Sequence, residues 1–347
     1  MLAAVYHGPE DVRLEERPVP VIGPDEALLK VVSAGVCGTD LRIWHGAHAK
    51  YPAGTVRIPG HEVVGDIAAV GAVVKGVQPG QRVFVAPNMG CGRCPQCVSG
   101  HNNRCAAYEA FGVTLDGAFA DYMRIPAAAI SQGNLIPIDE KTAPATATLI
   151  EPLACVLHGQ DALGIHPGDV VVVIGAGPIG VMHIMLARLQ GAAKVIVSDL
   201  IADRLDLAMK AGADCAVNPP HGDLVQAVAQ ETGGEGAQVV VVAAPSPPAQ
   251  QEALRVAAIG GRINFFGGLP KDRPSIQFDS NLVHYRELVV TGTTACSTND
   301  CWRAAAIVAS GRLDLTQLVS ARYPLKETLK AFTAAEDRLS LKIVLES

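Results

Sequence analysis

The sequence predicts an α/β protein of two domains, and three observations carry that expectation. At 347 residues the chain exceeds the usual size of a single hydrophobic core. Hydrophobic residues make up 49% and aromatics only 4%, so Val, Ala, Leu and Ile must fill the interior, as where helices cover buried parallel strands. The texture also changes along the chain, from Gly- and Pro-rich with short alternating runs to apolar strands alternating with helical segments.

The first stretch, 1–152, carries alternating runs at 27–32, 63–70 and 82–85, separated by turn signals such as Pro79-Gly80. It reads as an antiparallel, barrel-like unit with long irregular loops. In 153–295 six strands are predicted, at 170–174, 194–198, 215–218, 238–243, 262–266 and 288–291, with helices such as 179–190 and 202–211 between them, the second stopped by Gly212. The last stretch, 296–347, shows helical patterns at 301–310 and 325–335 and a closing strand near 341–345, an ending that suits a return to the first domain. The expected division is therefore 1–152 with 296–347, and 153–295.

A formal charge of −6 leaves no basic excess for neutralising phosphates, which excludes nucleic acid and anionic membranes as expected partners. The first eight residues lack the basic flank and apolar run of an export signal, so a cytoplasmic protein is expected. The segment 170–187 is uncharged, but Gly175, Gly177, Pro178 and Gly180 split it into a short buried strand and an apolar helix, which argues against a membrane span. There is no internal repeat or low-complexity tract. Nine cysteines in a chain without an export signal point to metal ligation rather than to disulfides.

After the strand 170–174 comes Gly175-Ala176-Gly177-Pro178-Ile179-Gly180, followed by a helix. The first glycine permits the tight turn, the second lets backbone approach a pyrophosphate, and the third allows close helix–strand packing, while the helix N-terminus offers unpaired N–H groups to the anion. Asp199 ends the next strand, where a carboxylate accepts hydrogen bonds from an adenosine ribose. That carboxylate would repel the 2′-phosphate of NADP, although Arg204 is near enough to offset it or to pack over the adenine, so NAD is the expected cofactor.

Cys91, Cys94, Cys97 and Cys105 form a tight cluster in a stretch without apolar periodicity, a lobe of about 88–108 too small for its own core. Four thiolates suit a closed tetrahedral zinc or an iron–sulfur cluster; the lack of a second cysteine cluster, together with the family resemblance described below, favours structural zinc. A second constellation is dispersed: Cys37, His61, Glu62 and Glu151. A catalytic zinc takes three protein ligands and keeps one open position, and a thiolate, an imidazole and a carboxylate meet that need. Either Glu62 or Glu151 can be the carboxylate ligand, with the other facing the open position or exchanging with it.

Cys37-Gly38-Thr39-Asp40, Gly60-His61-Glu62, the four-cysteine lobe, Glu151-Pro152-Leu153-Ala154 and the glycine turn occur in one order, extended by Asp199 and Arg204. In these motifs the chain resembles the zinc-containing medium-chain alcohol dehydrogenases, specifically the sorbitol (L-iditol) 2-dehydrogenase and L-threonine 3-dehydrogenase branch. The resemblance implies a GroES-like β-barrel catalytic domain, a Rossmann domain that binds NAD through Gly175, Gly177, Pro178, Ile179, Gly180, Asp199 and Arg204, a cleft separating them, two zinc ions per chain and a homotetramer or homodimer. It also implies that the Thr39 hydroxyl carries the substrate proton toward the nicotinamide ribose.

Some positions depart from the family. Arg42 stands where many relatives carry the His that finishes the proton relay, and arginine stays protonated, which leaves His45 or bulk water for that step. Ile43 and Thr294-Ala295 stand where animal sorbitol dehydrogenases place a Tyr and an Arg-Tyr pair, so that pocket is not expected. The stretches 266–270 and 281–285 look like bacterial polyol dehydrogenases. The expected activity is therefore zinc-dependent hydride transfer from a secondary alcohol, a sugar alcohol or related polyol, to NAD. The alternatives are an L-threonine 3-dehydrogenase or other amino-alcohol dehydrogenase, and, from another class, a non-catalytic sensor that binds zinc and NAD.

Overall fold

The segment Val170–Ile174 reads Val-Val-Val-Val-Ile, five β-branched residues whose stiff side chains favour a pleated, buried strand. In the computed structural model, which describes residues 1–337 and 339–347, it lies inside a six-stranded sheet. Its neighbours are Lys194–Ser198 on one side and Ala237–Val242 on the other, both parallel. Cys215–Val217, Ala257–Phe265 and Val289–Gly292 complete the sheet, so the strand order runs third, second, first, fourth, fifth, sixth. That order is the doubly wound arrangement, and its reversal next to Val170–Ile174 is where such folds bind ligands at the carboxyl ends of their strands. Alternation sends Val171, Val173, Val195, Val197, Val239 and Val241 into one apolar layer and Val172, Ile174, Ile196, Val240 and Val242 into the other. Both faces are covered, as the uninterrupted apolar strands predict.

The chain divides into two compact units, Met1–Ala154 with Cys296–Ser347, and Cys155–Ala295. The first holds a seven-stranded sheet in which Ala27–Val36 is central. This strand pairs antiparallel with Glu62–Val70, with Tyr122–Ile125 and with Lys342–Glu346. Arg82–Val85 and Leu135–Pro137 extend one side, and Val319–Pro324 closes the other. One core joins these strands, with Phe119, Phe332, Leu29, Ile67 and Ile125 among its buried residues. The fold class expected from the sequence is the one observed.

Some boundaries move for local reasons. The helix expected at 301–310 is Thr298–Ala309, because Ser297 and Asp300 form a capping box that starts it earlier. The pattern at 325–335 begins as a 3-10 turn, Leu325–Glu327, before the helix Thr328–Glu336. The strand expected at 262–266 starts earlier, at Ala257, and passes through Gly260 at φ +72. Two further helices carry site residues: Gly38–Trp44 follows Cys37, and Ile150–Asp161 holds Glu151 in its first turn with Pro152 beside it, where a missing N–H costs nothing. Among the described residues no helix is long and apolar enough to cross a membrane.

Candidate active site

Strand register in the first unit brings distant residues together. Gly35 pairs with Glu62 and Val36 with Ile343, so Cys37, His61, Glu62 and Lys342 all stand at one end of the sheet. A Cys37 sulfur, a His61 ring nitrogen and a Glu62 oxygen lie within 4.8 Å of one another. Glu62 folds over Gly35, where a Cβ would stand 2.0 Å from its Oε2; only glycine leaves room for that carboxylate.

Cys37 caps the Gly38–Trp44 helix, and Asp40 is its third residue. The buried Asp40 carboxylate accepts from the Cys37 backbone N–H at 2.9 Å and from the Gly60 N–H at 3.3 Å, and it lies 3.5 Å from His61 Nδ1. Asp40 thus ties the cysteine and histidine segments together and aims the imidazole, the usual duty of a carboxylate behind a metal-binding histidine. Burial opposes a charge on His61, yet Asp40 and Cys37 hold it well above its ordinary pKa. A pocket that draws positive charge onto a buried imidazole is electrostatically suited to a cation, and its sulfur, nitrogen and oxygen donors suit zinc.

Lys342 Nζ, itself buried, donates to Glu62 Oε1 at 2.6 Å, lies 2.5 Å from Oε2 and donates to the Val36 carbonyl at 3.2 Å. Burial works against its charge, and the facing carboxylate and Cys37 more than offset that, so its pKa is raised. Glu151 does not join the Cys37–His61–Glu62 trio; its Oε1 lies 3.9 Å from the buried Cys296 Sγ. Thr39 Oγ1 accepts from Arg42 Nη2 at 3.0 Å. His45 turns to Glu336 at 2.5 Å, with Glu10 at 3.6 Å, and the Glu336 carboxylate raises its pKa against a small opposing effect of burial. A histidine whose nitrogens are engaged by two carboxylates that favour its charged form is a poor proton acceptor for a relay.

The four lobe cysteines also converge within 4.8 Å. Cys94 Sγ is 3.5 Å from Cys97 Sγ and 3.8 Å from Cys105 Sγ. A tetrahedron of zinc–sulfur bonds has edges of about 3.8 Å, so the sulfurs already sit at the spacing the ion requires. Backbone N–H groups of Arg93 and Cys94 pull the Cys91 thiol down to about 6, which favours the thiolate that binds metal.

In the second unit Gly175 has φ +107, and a Cβ on Gly180 would stand 1.8 Å from the Gly175 carbonyl oxygen, so both positions demand glycine. Gly177 caps the Pro178–Leu189 helix, in which Ile179 follows Pro178, and a Cβ there would meet only Arg204 Nη1 at 3.8 Å, which leaves the turn open to an approaching anion. Asp199 Oδ2 accepts from the Ala176 N–H at 2.6 Å and Oδ1 from the Ile201 N–H at 2.8 Å. The carboxylate therefore braces the glycine turn and keeps spare lone pairs for ribose hydroxyls.

Sequence reasoning gave no separate role to Asp40, Lys342 or Cys296. Asp40 had a signal, the cap spacing from Cys37. Lys342 had a fainter one, a lone charge in the apolar run Leu341 to Leu345. Cys296 had none.

Residues 23–137 match the alcohol dehydrogenase GroES-like domain, and residues 178–310 match the zinc-binding dehydrogenase family. The chain is 35% identical over 318 residues to L-threonine 3-dehydrogenase of Pyrococcus abyssi, covering 89% of this chain and 87% of that one. It is 33% identical over 337 residues to sorbitol dehydrogenase of Bacillus subtilis, covering 96% and 93%. A protein from Sinorhizobium meliloti named as a zinc-binding dehydrogenase and solved with NADP superposes with a TM-score of 0.91 at 32% identity, covering 100% of this chain and 99% of that one. With this fold and these metal and nucleotide motifs, the chain belongs to the zinc-dependent medium-chain dehydrogenases, oxidoreductases that act on alcohols with a nicotinamide dinucleotide.

Proposed function

We propose that this protein oxidises a secondary alcohol on a small polyhydroxylated substrate, a sugar alcohol or related polyol, and passes the hydride to NAD. The observation that carries the reading is the meeting of Cys37, His61 and a buried carboxylate within 4.8 Å, in a chain that also holds the glycine turn braced by Asp199. When bound, zinc supplies a Lewis acid that lowers the pKa of the substrate hydroxyl, and NAD supplies the hydride acceptor.

The protein's own side chains do the rest. Cys37 and His61 would hold the metal with one carboxylate, Glu62 or Glu151, of which Glu62 is the one that meets them here. Lys342 balances the Glu62 charge, which weakens that carboxylate as a ligand and keeps it in place over Gly35. Asp40 fixes the His61 ring. Thr39 receives the substrate proton at Oγ1 and releases its own proton outward to water, while Arg42 fills one lone pair and so fixes the hydroxyl's orientation. The N–H groups of Ile179 and Gly180, in the first turn of the Pro178–Leu189 helix, receive the pyrophosphate, and Asp199 accepts from the adenosine ribose.

NADH formation by the zinc-loaded protein across polyols, sugar phosphates, threonine and simple secondary alcohols tests this. Polyols should give the highest kcat/KM. A clear preference for threonine would establish the second reading, which the 35% identity to a threonine dehydrogenase favours. NAD binding with no alcohol oxidised would leave a sensor.

A cytoplasmic, homo-oligomeric protein fits the same reading. Four thiolates in one lobe need a reducing compartment. Val289–Gly292 is an edge strand with Val289 51% exposed, near Ile259 and Tyr285, each 76% exposed, an apolar edge that a second copy can cover. Sedimentation should give a dimer or tetramer, and Val289→Lys should shift it toward monomer.

A further inference from the structure

The segment Cys296-Ser297-Thr298-Asn299-Asp300-Cys301 opens the Thr298–Ala309 helix. Ser297 Oγ accepts from the Asp300 N–H at 3.1 Å, and Asp300 Oδ2 accepts from both the Ser297 N–H and its hydroxyl at 2.8 Å. A capping box of this kind makes the residue before the cap face the fourth residue of the helix, the place where two apolar side chains usually staple the entry. Here both are cysteine. Their sulfurs stand 3.6 Å apart, with the residues 0% and 1% exposed.

The backbone around them is fixed. Asn88 Nδ2 donates to the Cys296 carbonyl at 2.7 Å and lies 3.7 Å from its sulfur. The Thr298 N–H donates to Asn102 Oδ1 at 3.0 Å, and Asn102 Nδ2 donates to the Asn88 carbonyl at 2.9 Å. Closing 3.6 Å to the roughly 2 Å of a disulfide therefore falls to side-chain rotation at two residues. Cys296 Sγ also faces Glu151 Oε1 at 3.9 Å.

We propose that Cys296 and Cys301 form an oxidative modification site, closed into a disulfide by a hydroperoxide, and that closure withdraws the Cys296 thiol from Glu151. The Cys296 sulfur attacks one peroxide oxygen; an S–O bond forms, the O–O bond breaks, and the thiol proton leaves with the departing hydroxide as water. The Cys301 sulfur then attacks the sulfenic sulfur. An S–S bond forms, the S–O bond breaks, and hydroxide leaves with the Cys301 proton as a second water. Two thiols are oxidised and one hydroperoxide is reduced. The consequence for turnover rests on the proposed alcohol oxidation; the disulfide itself does not.

The zinc-loaded full chain is treated with hydrogen peroxide near one equivalent, alkylated and digested with trypsin. Peptide 287–303 holds both cysteines and no other. It should appear unalkylated and lighter by two hydrogens, and dithiothreitol should reverse this. NADH formation should fall roughly tenfold in step, as for loss of a partner behind a metal ligand, and return with reduction. Cys301→Val keeps an apolar staple, should melt with the parent, and should stop at a Cys296 sulfenic acid that dimedone labels on the same peptide, with no loss of two hydrogens. The proposal is overturned if the peptide stays doubly alkylated while other cysteines oxidise, or if Cys296 of Cys301→Val takes up no dimedone while the parent peptide is oxidised.

Discussion

Lys342 and Glu62 are a buried ion pair, with side chains 5% and 0% exposed, and such pairs answer asymmetrically to substitution. Removing one partner strands a charge in a medium that solvates it poorly, while replacing both removes cost and gain together. Lys342→Met should therefore destabilise the first unit by roughly 3–5 kcal/mol, and Lys342→Met with Glu62→Gln should recover most of that loss. Both tryptophans, Trp44 and Trp302, belong to this unit, so urea titrations followed by their fluorescence read it alone. Equal losses in the single and double variants would remove the pair from the account. Thr39 tests the chemistry at the same scale. Thr39→Val keeps the shape and deletes Oγ1, and kcat should fall roughly 100-fold with KM little changed. A KM effect alone would make Thr39 a binding residue and no proton carrier.

At the scale of elements, the Pro178–Leu189 helix buries His183 completely, with its ring edge-on to Phe266 at a centroid distance of 4.8 Å. Gln160 Nε2 donates to the residue-183 carbonyl at 2.8 Å and lies 3.2 Å from His183 Nδ1. Burial pushes the pKa of His183 down to about 3, so the folded helix holds it neutral while the unfolded chain binds a proton near the ordinary value of 6.5. Stability from this group is thus complete above the unfolded pKa and is lost as pH falls from 6.5 toward 3. Between pH 7.5 and 5 the second unit should lose about 2 kcal/mol, read as lower amide protection factors across 178–189, each rate being taken relative to the intrinsic rate at that pH. His183→Leu should flatten that slope, since the carbonyl bond to Gln160 survives. Such features also mark how far the sequence could be read. The glycine turn and the cysteine lobe are set by neighbours in the chain, so spacing alone announced them. Thr298–Ala309 was misjudged at its start because capping by Ser297 outweighed the apolar pattern. Lys342 reaches the site through pairing of Ile343 with Val36, a register that no local window contains.

For the whole molecule, each unit has its own core: one cluster runs through the first, and two layers flank the parallel sheet of the second. A lesion confined to one core should therefore spare the binding chemistry of the other. The four-cysteine lobe is the place to apply it, because its sulfurs hold a short helix, Pro95–Val98, with no buried residue of its own. Its order then depends on the metal crosslink. Cys97→Ser leaves three thiolates and a weak hydroxyl donor, so the protein should retain one zinc per chain where the parent holds two. Asn102 joins the lobe to Asn88 and Thr298, so loosening it should carry into the first unit and lower the transition read by Trp302, whose Nε1 donates to the Gly133 carbonyl at 2.9 Å. NAD affinity, measured by calorimetry below that transition, should stay within about twofold, since the glycine turn, Asp199 and Arg204 belong to the other core. Loss of NAD binding together with the lobe zinc would show that the two units do not keep their stability apart.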